Sequence, residues 1–333
     1  MIRNRMIHMT HSARKGKVFN PLFLALLVVV IAVLSLFIGV QELHLGDLFS
    51  LTDSQRMILW HSRIPRTISL IMAGSTLSVC GLLMQHLTQN KFVSPTTAGT
   101  MASARLGIIV AIIFFSQSAL IHKTVIAFLF ATLGTIAFTL FLRTVKLKNS
   151  IMVPLVGMMF GNIVSSISTF AAVQYEVVQN VSSWMQGNFS LIHSGNVSLL
   201  LLTLPLLALI ALFGHYFSIM GLGKETSEKL GIPYGVMELL GISLVALGTT
   251  LVILTAGSIP FVGIIIPNLI SIKLGDHFGN TLFPTAFAGA IFLLVMDILA
   301  RTIVFPYEIP ISVVTGAVGS VLFIYLLLKG GKG

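Results

Sequence analysis

Charged side chains are scarce in this sequence. Of its 333 residues only 9% are charged, whereas 56% are hydrophobic. Several stretches of about twenty residues carry almost no charge, and each is long enough to cross roughly 30 Å of hydrocarbon as a helix. Membrane β-strands would alternate apolar and polar residues, which these stretches do not, and lipid-facing backbone must satisfy its own hydrogen bonds. The sequence therefore predicts helical membrane spans and excludes a soluble globular protein.

Cysteine and acidic residues are also sparse. The single cysteine, Cys80, lies inside an apolar span, which excludes an intramolecular disulfide and a metal site built from paired cysteines. There are 10 acidic residues against 20 lysines and arginines. Asp297 and Arg105 are the only strongly ionisable side chains predicted to lie well inside spans. A proton- or sodium-coupled transporter normally needs more buried carboxylates than this.

Sequence signatures of catalysis are missing as well. The chain has no glycine-rich phosphate-binding loop and no set of nucleophile, base and acid, so we expect it neither to hydrolyse ATP nor to be an enzyme. The net charge of +10 does not indicate nucleic-acid binding, because the cations lie in termini and short loops, where they set membrane orientation. We expect no cofactor and no metal ion in this chain.

The positions of the cations predict the topology. The N-terminal tail, residues 1–19, is basic and free of acids, which places it in the cytoplasm. The predicted spans are Pro21–Val40, Ile64–Met84, Ala98–Ala119, Thr124–Leu142, Ile151–Val173, Val197–Phe217, a pair within Leu239–Ile272, Thr281–Ile303 and a last span that ends at Lys329. This pattern predicts an all-α polytopic membrane protein with about ten transmembrane helices and both termini in the cytoplasm.

The segments between these spans carry their own predictions. The uncharged run Leu239–Ile272 is expected to break near Gly257–Pro260, because Pro260 lacks an amide hydrogen and a Gly-Ser pair is a poor helix interior. Two short crossings or a re-entrant pair would both return this run to the cytoplasm. Residues 41–62 are predicted to form an outer loop. The polar stretch after Val173 is long enough for a short helix on the outer surface.

Three arginines are predicted at the outer surface, against the usual cytoplasmic bias of cations. Arg63 and Arg66 flank Pro65 at the start of the second span, and Arg301 reaches the same side from the far end of the chain. Their guanidiniums could ring one outward mouth and offer forked donors to carboxylates on a partner. Two alternatives stay open: snorkelling of the first pair to the membrane interface, and pairing of Arg301 with Asp297 one helical turn earlier.

The predicted cytoplasmic loop 221–235 is the most charged loop in the body of the chain. Within it, glycines bracket the segment KETSEKL, which suits a short surface helix with Leu230 on one face and charges on the others. Such a helix could present a small rigid knob to a soluble partner, and an ordinary solvated connection is the alternative. The residues of the predicted coupling site are Gly223, Lys224, Glu225, Ser227, Glu228, Leu230 and Gly231.

Five stretches resemble, in order, the permease subunits of the iron-siderophore and vitamin B12 class of ABC importers. They are RIPR at 63–66, GLLMQHLTQNKFVSPTTAGT at 81–100, LGKETSEKLG at 222–231, GSIPFVGIIIPNL at 257–269 and EIPISVVTGAVGSVLFIYLLLK at 308–329. The version NKFVSPTTAGT is similar to a ferric-siderophore branch of the family, often catecholate-type. The resemblance covers essentially the whole chain and implies one transmembrane permease domain, 1–333, with the fold of a vitamin B12 importer permease.

The resemblance also implies a function and a set of partners. The function would be import of a ferric siderophore across the bacterial cytoplasmic membrane by ATP-driven alternating access. The partners would be a second permease subunit, identical or not, two cytoplasmic ATPase subunits that bind ATP and magnesium, and an external substrate-binding protein. In that family the arginines matching Arg63, Arg66 and Arg301 meet acidic residues on the binding protein. The loop Gly221–Gly231 matches the coupling helices that sit in clefts of the ATPase.

Several alternatives stay open at this point. Haem or a cobalamin could be the substrate, and a stand-alone secondary transporter or channel, or a sensor that moves no solute, could be the function. Arg105 could help an anionic chelate through or hold a structural partner such as a carboxylate or a carbonyl. The chain also departs from the family pattern at Lys224, Ser227, Asn268 and Val321, where an acid, alanine, histidine and proline are common. None of these departures removes a charge from the predicted docking set.

Overall fold

The computed structural model describes residues 20–39, 52–115, 117, 119–144, 152–190, 192 and 194–330. The predicted basic tail, 1–19, lies outside these residues, as do residues 40–51 of the predicted outer loop. Throughout the described part the chain is built from helices, and the only strand-like feature there is an isolated bridge between Gln186 and Ser258.

The helices follow one another with short connections. The first group is α1 (Pro21–Phe37), α2 (Asp53–Ile58), α3 (Ile64–Thr88), α4 (Thr100–Phe114), α5 (Leu120–Thr144), α6 (Met152–Gln174) and α7 (Val178–Met185). The second group is α8 (Ser194–Leu201), α9 (Thr203–Leu212), α10 (Gly214–Met220), α11 (Lys224–Lys229), α12 (Tyr234–Ala256), α13 (Val262–Leu274), α14 (Phe278–Thr302) and α15 (Ile311–Gly330). Every predicted span has a helical counterpart in these groups.

The lengths of the helices support a polytopic membrane protein. Six helical segments in the described residues are long and apolar enough to cross a membrane. They are Asp53–Thr88, Ile121–Leu142, Leu155–Gln174, Tyr234–Ala256, Phe278–Thr302 and Ile311–Leu328. The helices α8 to α10, which bend between α9 and α10, together form a seventh candidate span. Helices α1, α4 and α13 are shorter and apolar. The all-α polytopic fold predicted from hydropathy is therefore confirmed.

The prediction of an outer loop before Arg63 is wrong for the last ten residues of that loop, which are helical. Thr52 caps α2 in a capping box with Gln55, and the helix runs through a π-helical turn, Leu59–Arg63, directly into α3. The wider π turn precedes Pro65, whose missing amide hydrogen would otherwise break the regular ladder of backbone hydrogen bonds. The second span is thus the end of one helical segment, Asp53–Thr88.

The sixth predicted span is not one straight helix. Its last part, Gly214–Met220, is bent by 59° from the helix that ends at Leu212. A separate interruption lies at Leu202, between α8 and α9, where Pro205 has no amide hydrogen to donate to the Leu201 carbonyl. At this interruption the Thr203 hydroxyl donates to the Leu200 carbonyl at 2.6 Å.

The predicted break near Gly257–Pro260 is confirmed. Helix α12 ends at Ala256, and Gly257 follows with a positive φ of 80°, a conformation that favours glycine. Helix α13 begins at Val262 and has 13 residues, which gives a length of about 20 Å. The run is therefore one full-length helix followed by a short one.

Helix α3 lies at the centre of the fold. It packs against α14 and α13 so closely that a Cβ added at Gly74 would collide with the backbone of Gly289, and one at Gly81 with that of Gly263. Small residues that let helix backbones approach are typical of packing inside membranes, where lipid tails remove the hydrophobic drive between helices. This close contact fixes the outer end of α3 against α14, where the candidate docking arginines lie.

Candidate functional site

Arg66 joins three parts of the chain at the outer end of α3. Its Nε and Nη2 donate to Asp297 Oδ1 of α14 at 3.1 and 2.7 Å. Its Nη1 donates to Glu308 Oε2, in the turn between α14 and α15, at 2.7 Å. Asp297 is fully buried, with 0% of its side chain exposed, whereas 27% of the Glu308 side chain is exposed. The guanidinium therefore has one inner and one outer carboxylate partner.

Arg301 shares the inner carboxylate. Its Nη2 forms an ion pair with Asp297 Oδ2 at 2.7 Å, which confirms the i, i+4 pairing considered from the sequence. Its Nη1 also donates to the carbonyl of Ile38 at 2.6 Å and to that of Ser35 at 3.2 Å. These carbonyls belong to the end of α1, where the last turn of a helix lacks backbone partners and favours a positive charge.

Arg63 completes the group on the same helix end. Its Nη1 donates to the Leu36 carbonyl at 2.6 Å. The three arginines are therefore close together, as the sequence predicted, but they are 7%, 9% and 6% exposed and use acceptors within this chain. The three guanidiniums therefore do not form a ring that is open to solvent. We call Arg63, Arg66, Asp297, Arg301 and Glu308 the outer charge cluster.

Glu308 is the member that the sequence analysis missed. Burial on its own would raise the pKa of Glu308. A hydrogen bond from Ser190, the charge and hydrogen bond of Arg66 and the charge of Arg301 outweigh it and hold this pKa below its ordinary value. Ser190 Oγ donates to Glu308 Oε2 at 2.6 Å, so one oxygen accepts from two donors. The available signal was its position as the one acid of the segment VFPYEIP, which follows Arg301 and joins the last two predicted spans.

Ser190 ends a segment that is held against the break between α12 and α13. The amide of Asn188 donates to the Ala256 carbonyl at 3.1 Å, and the amide of Ser258 donates to the Met185 carbonyl at 3.1 Å. Helix α7, which precedes this segment, is the short outer helix expected after the fifth span. The outer charge cluster, the helix break and α7 are thus connected through one short stretch.

The predicted cytoplasmic knob forms as expected. Helix α11 comprises six residues, and Gly223 before it and Gly231 after it have positive φ values of 105° and 80°. Ser227 is buried and donates to the Gly223 carbonyl at 2.7 Å and to the Ile219 carbonyl at 3.1 Å. Leu230 is 61% exposed. The remaining residues of the predicted coupling site on this helix are also exposed: Lys224, Glu225 and Glu228.

Arg105 belongs to α4 and lies on the side of that helix that faces α6. It shares a helix face with Ala102, which lies next to Gly161, and with Ile109, which packs with Ala172. The side chain is partly buried, and its Nε is buried without a hydrogen-bond partner in the described part of the chain. The structural partner considered from the sequence is therefore not present among the described residues.

Helix α6 carries an exposed polar stripe that the sequence analysis missed. Asn162, Ser166 and Thr169 are exposed on one side of this otherwise apolar helix. The two hydroxyls donate to carbonyls of their own helix, at 2.9 Å each, so they do not hold α6 against another helix. An exposed amide at membrane depth is costly against lipid, which indicates that this side faces water or another protein chain. The signal was the hydroxyl-rich stretch NIVSSIST within an apolar span.

No group of three or more histidine, cysteine, aspartate or glutamate side chains that could hold a metal ion occurs in the described residues. Cys80 is buried within α3. The chemistry that these residues offer is therefore electrostatic and hydrogen-bonding: a buried charge cluster at the outer face, a partly buried guanidinium within the membrane, and an exposed helix at the cytoplasmic face.

Comparison with known proteins places these features in a family. Over residues 26–329 the chain matches the FecCD transport family. It is 46% identical over 307 residues to the petrobactin import system permease protein YclN of Bacillus subtilis, covering 92% of this chain and 97% of that one. The ferric-anguibactin transport system permease protein FatD of Vibrio anguillarum is 37% identical, with 90% and 95% covered.

A solved structure has the same fold. It is a metal-chelate type ABC transporter in an inward-facing conformation, with a TM-score of 0.79 and 25% sequence identity. The match covers 93% of this chain and 98% of that chain. The family match, the two relatives and the shared fold extend over nearly the full length of the helices described above. The chain belongs to the FecCD transport family.

Proposed function

We propose that this chain is the permease subunit of an ABC importer that carries a ferric siderophore across the bacterial cytoplasmic membrane. The observation that carries the proposal is the full-length similarity to permeases for petrobactin and ferric anguibactin. The apolar helices of the described residues and the exposed helix α11 supply what alternating access requires: a membrane path and a contact for a soluble motor. A ferric siderophore of the catecholate type fits the sequence branch.

The chain itself does no covalent chemistry in this proposal. ATP and magnesium are bound by two ATPase subunits on the cytoplasmic side, and a second permease subunit, identical or not, completes the membrane path. An external substrate-binding protein delivers the chelate to the outer face. These partners are the ones that the family resemblance implies.

Helix α11 is the proposed contact for the ATPase. Glycines with positive φ lie on both sides of it, and Leu230 offers an apolar side chain of which 61% is exposed. Glu225 and Lys229 place opposite charges at the two ends of the helix, in the order that stabilises it. A short helix of this kind can enter a cleft on a soluble subunit without changing the membrane fold.

The outer charge cluster is the proposed contact for the binding protein. Arg63, Arg66 and Arg301 concentrate three positive charges beside the outer turn, and the exposed side of this group lies at Glu308. Guanidiniums form forked, charge-assisted hydrogen bonds with carboxylates, which suits acidic residues on a docking partner. Much of such an electrostatic contact acts on the association rate and is weakened by salt.

The substrate path is proposed to run along the polar stripe of α6, with Arg105 beside it. A guanidinium at membrane depth is functional by default, and this one has a buried nitrogen without a partner in the described residues. An anionic iron chelate would supply the missing charge as it passes. A lipid-facing role is disfavoured for Asn162, because a side-chain amide is poorly solvated by hydrocarbon.

Reconstitution into vesicles tests the proposed function. The permease, its ATPase subunits and the binding protein would be assembled together and supplied with ferric petrobactin labelled with radioactive iron. We expect uptake that requires ATP and the binding protein and that excess haemin or cyanocobalamin does not suppress. Uptake driven by a proton or sodium gradient without the ATPase would contradict the proposal, and haem or cobalamin uptake would change the substrate.

The coupling helix has a separate test in the same vesicles. Replacing Glu225 and Leu230 together with alanine should leave ATP hydrolysis by the ATPase but abolish most of the uptake that it drives. Met57→Ala is a matched control, because Met57 is also strongly exposed, at 66%, but lies in α2 at the opposite end of α3 from the coupling helix. Normal coupled uptake by the double variant would count against this assignment.

A further inference from the structure

The outer partner of Arg66 occupies the place that a docking carboxylate would need. All three guanidinium nitrogens of Arg66 are engaged, two by Asp297 and one by Glu308. Asp297 is fully buried and cannot be approached from outside. A carboxylate that arrives from the outer side meets Arg66 next to Glu308, the more exposed of its two partners. The guanidinium still has unused N–H groups, but two carboxylates beside one nitrogen repel each other, so docking and the internal ion pair compete for the position at Nη1.

Glu308 is also the exchangeable member of the cluster. Its side chain is partly exposed, so water can solvate the carboxylate once it leaves Arg66, whereas Asp297 would remain in the protein interior. The Ser190 hydroxyl, 2.6 Å from the same oxygen, stays as a partner for the released group. Exchanging one carboxylate for another at the surface conserves the charge-assisted hydrogen bond to the guanidinium.

We infer that Glu308 is an internal stand-in for the docking carboxylate: it holds Arg66 at rest and is displaced from Nη1 when the binding protein arrives. This inference rests on the proposed function, because it takes the binding protein as the partner. Glu308 is thus a positioning residue that acts through Arg66. It keeps the guanidinium ordered between docking events and lowers the affinity of the docked complex.

A purely structural role for Glu308 makes the opposite prediction. If the residue only fastens the outer turn to α3, its loss should disorder Arg66 and weaken docking. If it competes, its loss should free one donor of a guanidinium that Asp297 still fixes, and docking should become tighter. The sign of the change in affinity therefore separates the two roles.

The test measures the dissociation constant between the complete transporter in nanodiscs and the binding protein that supports its uptake. For Glu308→Gln we expect a Kd about two- to fivefold lower than that of the wild type, the range that one partly exposed ion pair can supply. In the Arg66→Gln background the same change should bring no gain, because the guanidinium for which the two carboxylates compete is absent. An unchanged or higher Kd for Glu308→Gln would overturn the inference.

Two further variants control for the loss of a negative charge and for the hydrogen bond from Ser190 to Glu308. Glu176→Gln removes one exposed acid between α6 and α7 that forms no ion pair with Arg66, and we expect it to change the Kd less than Glu308→Gln does. An equal gain from both would reduce the effect to net charge and overturn the inference.

Ser190→Ala, which removes one hydrogen-bond partner of Glu308, should lower the Kd by less than Glu308→Gln does. A wild-type transporter that does not bind the protein at all would instead overturn the proposed docking role, and this inference with it.

Discussion

At the outer face, Arg66 reaches partners 231 and 242 positions away in the chain, and Arg301 reaches the end of α1 across 266 positions. At the cytoplasmic face, Ser227 holds α11 through carbonyls only four and eight positions away. The outer charge cluster is buried and mutually dependent, whereas α11 is local and exposed. One region is built into the fold, and the other projects from it.

This difference separates the ways in which the two regions respond to substitution. In the outer charge cluster every charge except that of the partly exposed Glu308 has been taken out of water, so removing a buried one leaves another unpaired in a poorly solvated site. On α11 the charges remain solvated, and removing one changes little within the chain. Outer substitutions should therefore act through stability as well as docking, and cytoplasmic substitutions mainly through the contact with a partner.

The largest expected effect belongs to Asp297→Asn. The substitution removes the buried negative charge shared by Arg66 and Arg301, and breaking a buried ion pair in this way costs about 3–5 kcal/mol. We expect a marked loss of folded protein and a lower unfolding temperature in detergent. Thermal unfolding followed by the fluorescence of a thiol-reactive dye at Cys80, which is buried in the fold, measures it.

A matched control comes from the exposed ion pair at the cytoplasmic side. Lys91 and Asp276 lie 2.8 Å apart, but their side chains are 54% and 60% exposed. Asp276→Asn removes the same type of charge and should cost at most about 1 kcal/mol. If Asp297→Asn is no more harmful than Asp276→Asn, the buried cluster does not stabilise the fold and the contrast between the two faces fails.

The same contrast explains how much the sequence could predict. Helix α11 was predictable with its ends, because glycines, charges and Leu230 within one short stretch determine it. The spans were predictable from hydropathy for the same local reason. The pairing of Arg66 with Glu308 was not, because it depends on how α3 and α14 pack. The outer arginines were named correctly, but their burial came only from tertiary structure.

Two other differences have the same origin. The helical continuation before Arg63 required a π turn, whose wider ladder tolerates Pro65 and leaves no sequence pattern of its own. The polar stripe of α6 is encoded in the sequence, but its exposure depends on which side of the helix the rest of the chain covers. In an apolar stretch of 18 residues in the segment containing α3, 83% of the residues are buried, whereas in the corresponding stretch of α6 only 17% are. Hydropathy alone does not distinguish these two helices.

A smaller effect is expected for Ser227→Ala. The buried hydroxyl donates to two carbonyls, and losing these hydrogen bonds should cost about 1 kcal/mol, reduced slightly by the better helix propensity of alanine. We expect faster amide exchange in α11 and an almost unchanged unfolding temperature of the whole protein. Thr226→Ala is the control, because that neighbouring hydroxyl is exposed. Equal exchange rates in the two variants would show that the Ser227 hydrogen bonds do not hold α11.

The smallest effect is expected for Lys224→Ala. The ammonium lies 3.8 Å from Glu228 one turn later, and both side chains are more than half exposed, at 59% and 51%. An exposed i, i+4 pair of this kind contributes about 0.2–0.5 kcal/mol, which is within the error of a thermal unfolding measurement on a membrane protein. Because the unfolding temperature should not move, any change in ATP-driven uptake by this variant reports on the contact with the ATPase alone. Uptake should then depend on salt in the wild type and less so in Lys224→Ala, since screening acts on exposed charges. A clear fall in the unfolding temperature of Lys224→Ala would mean that α11 is not the independent, solvated element that sets the cytoplasmic face apart from the outer one.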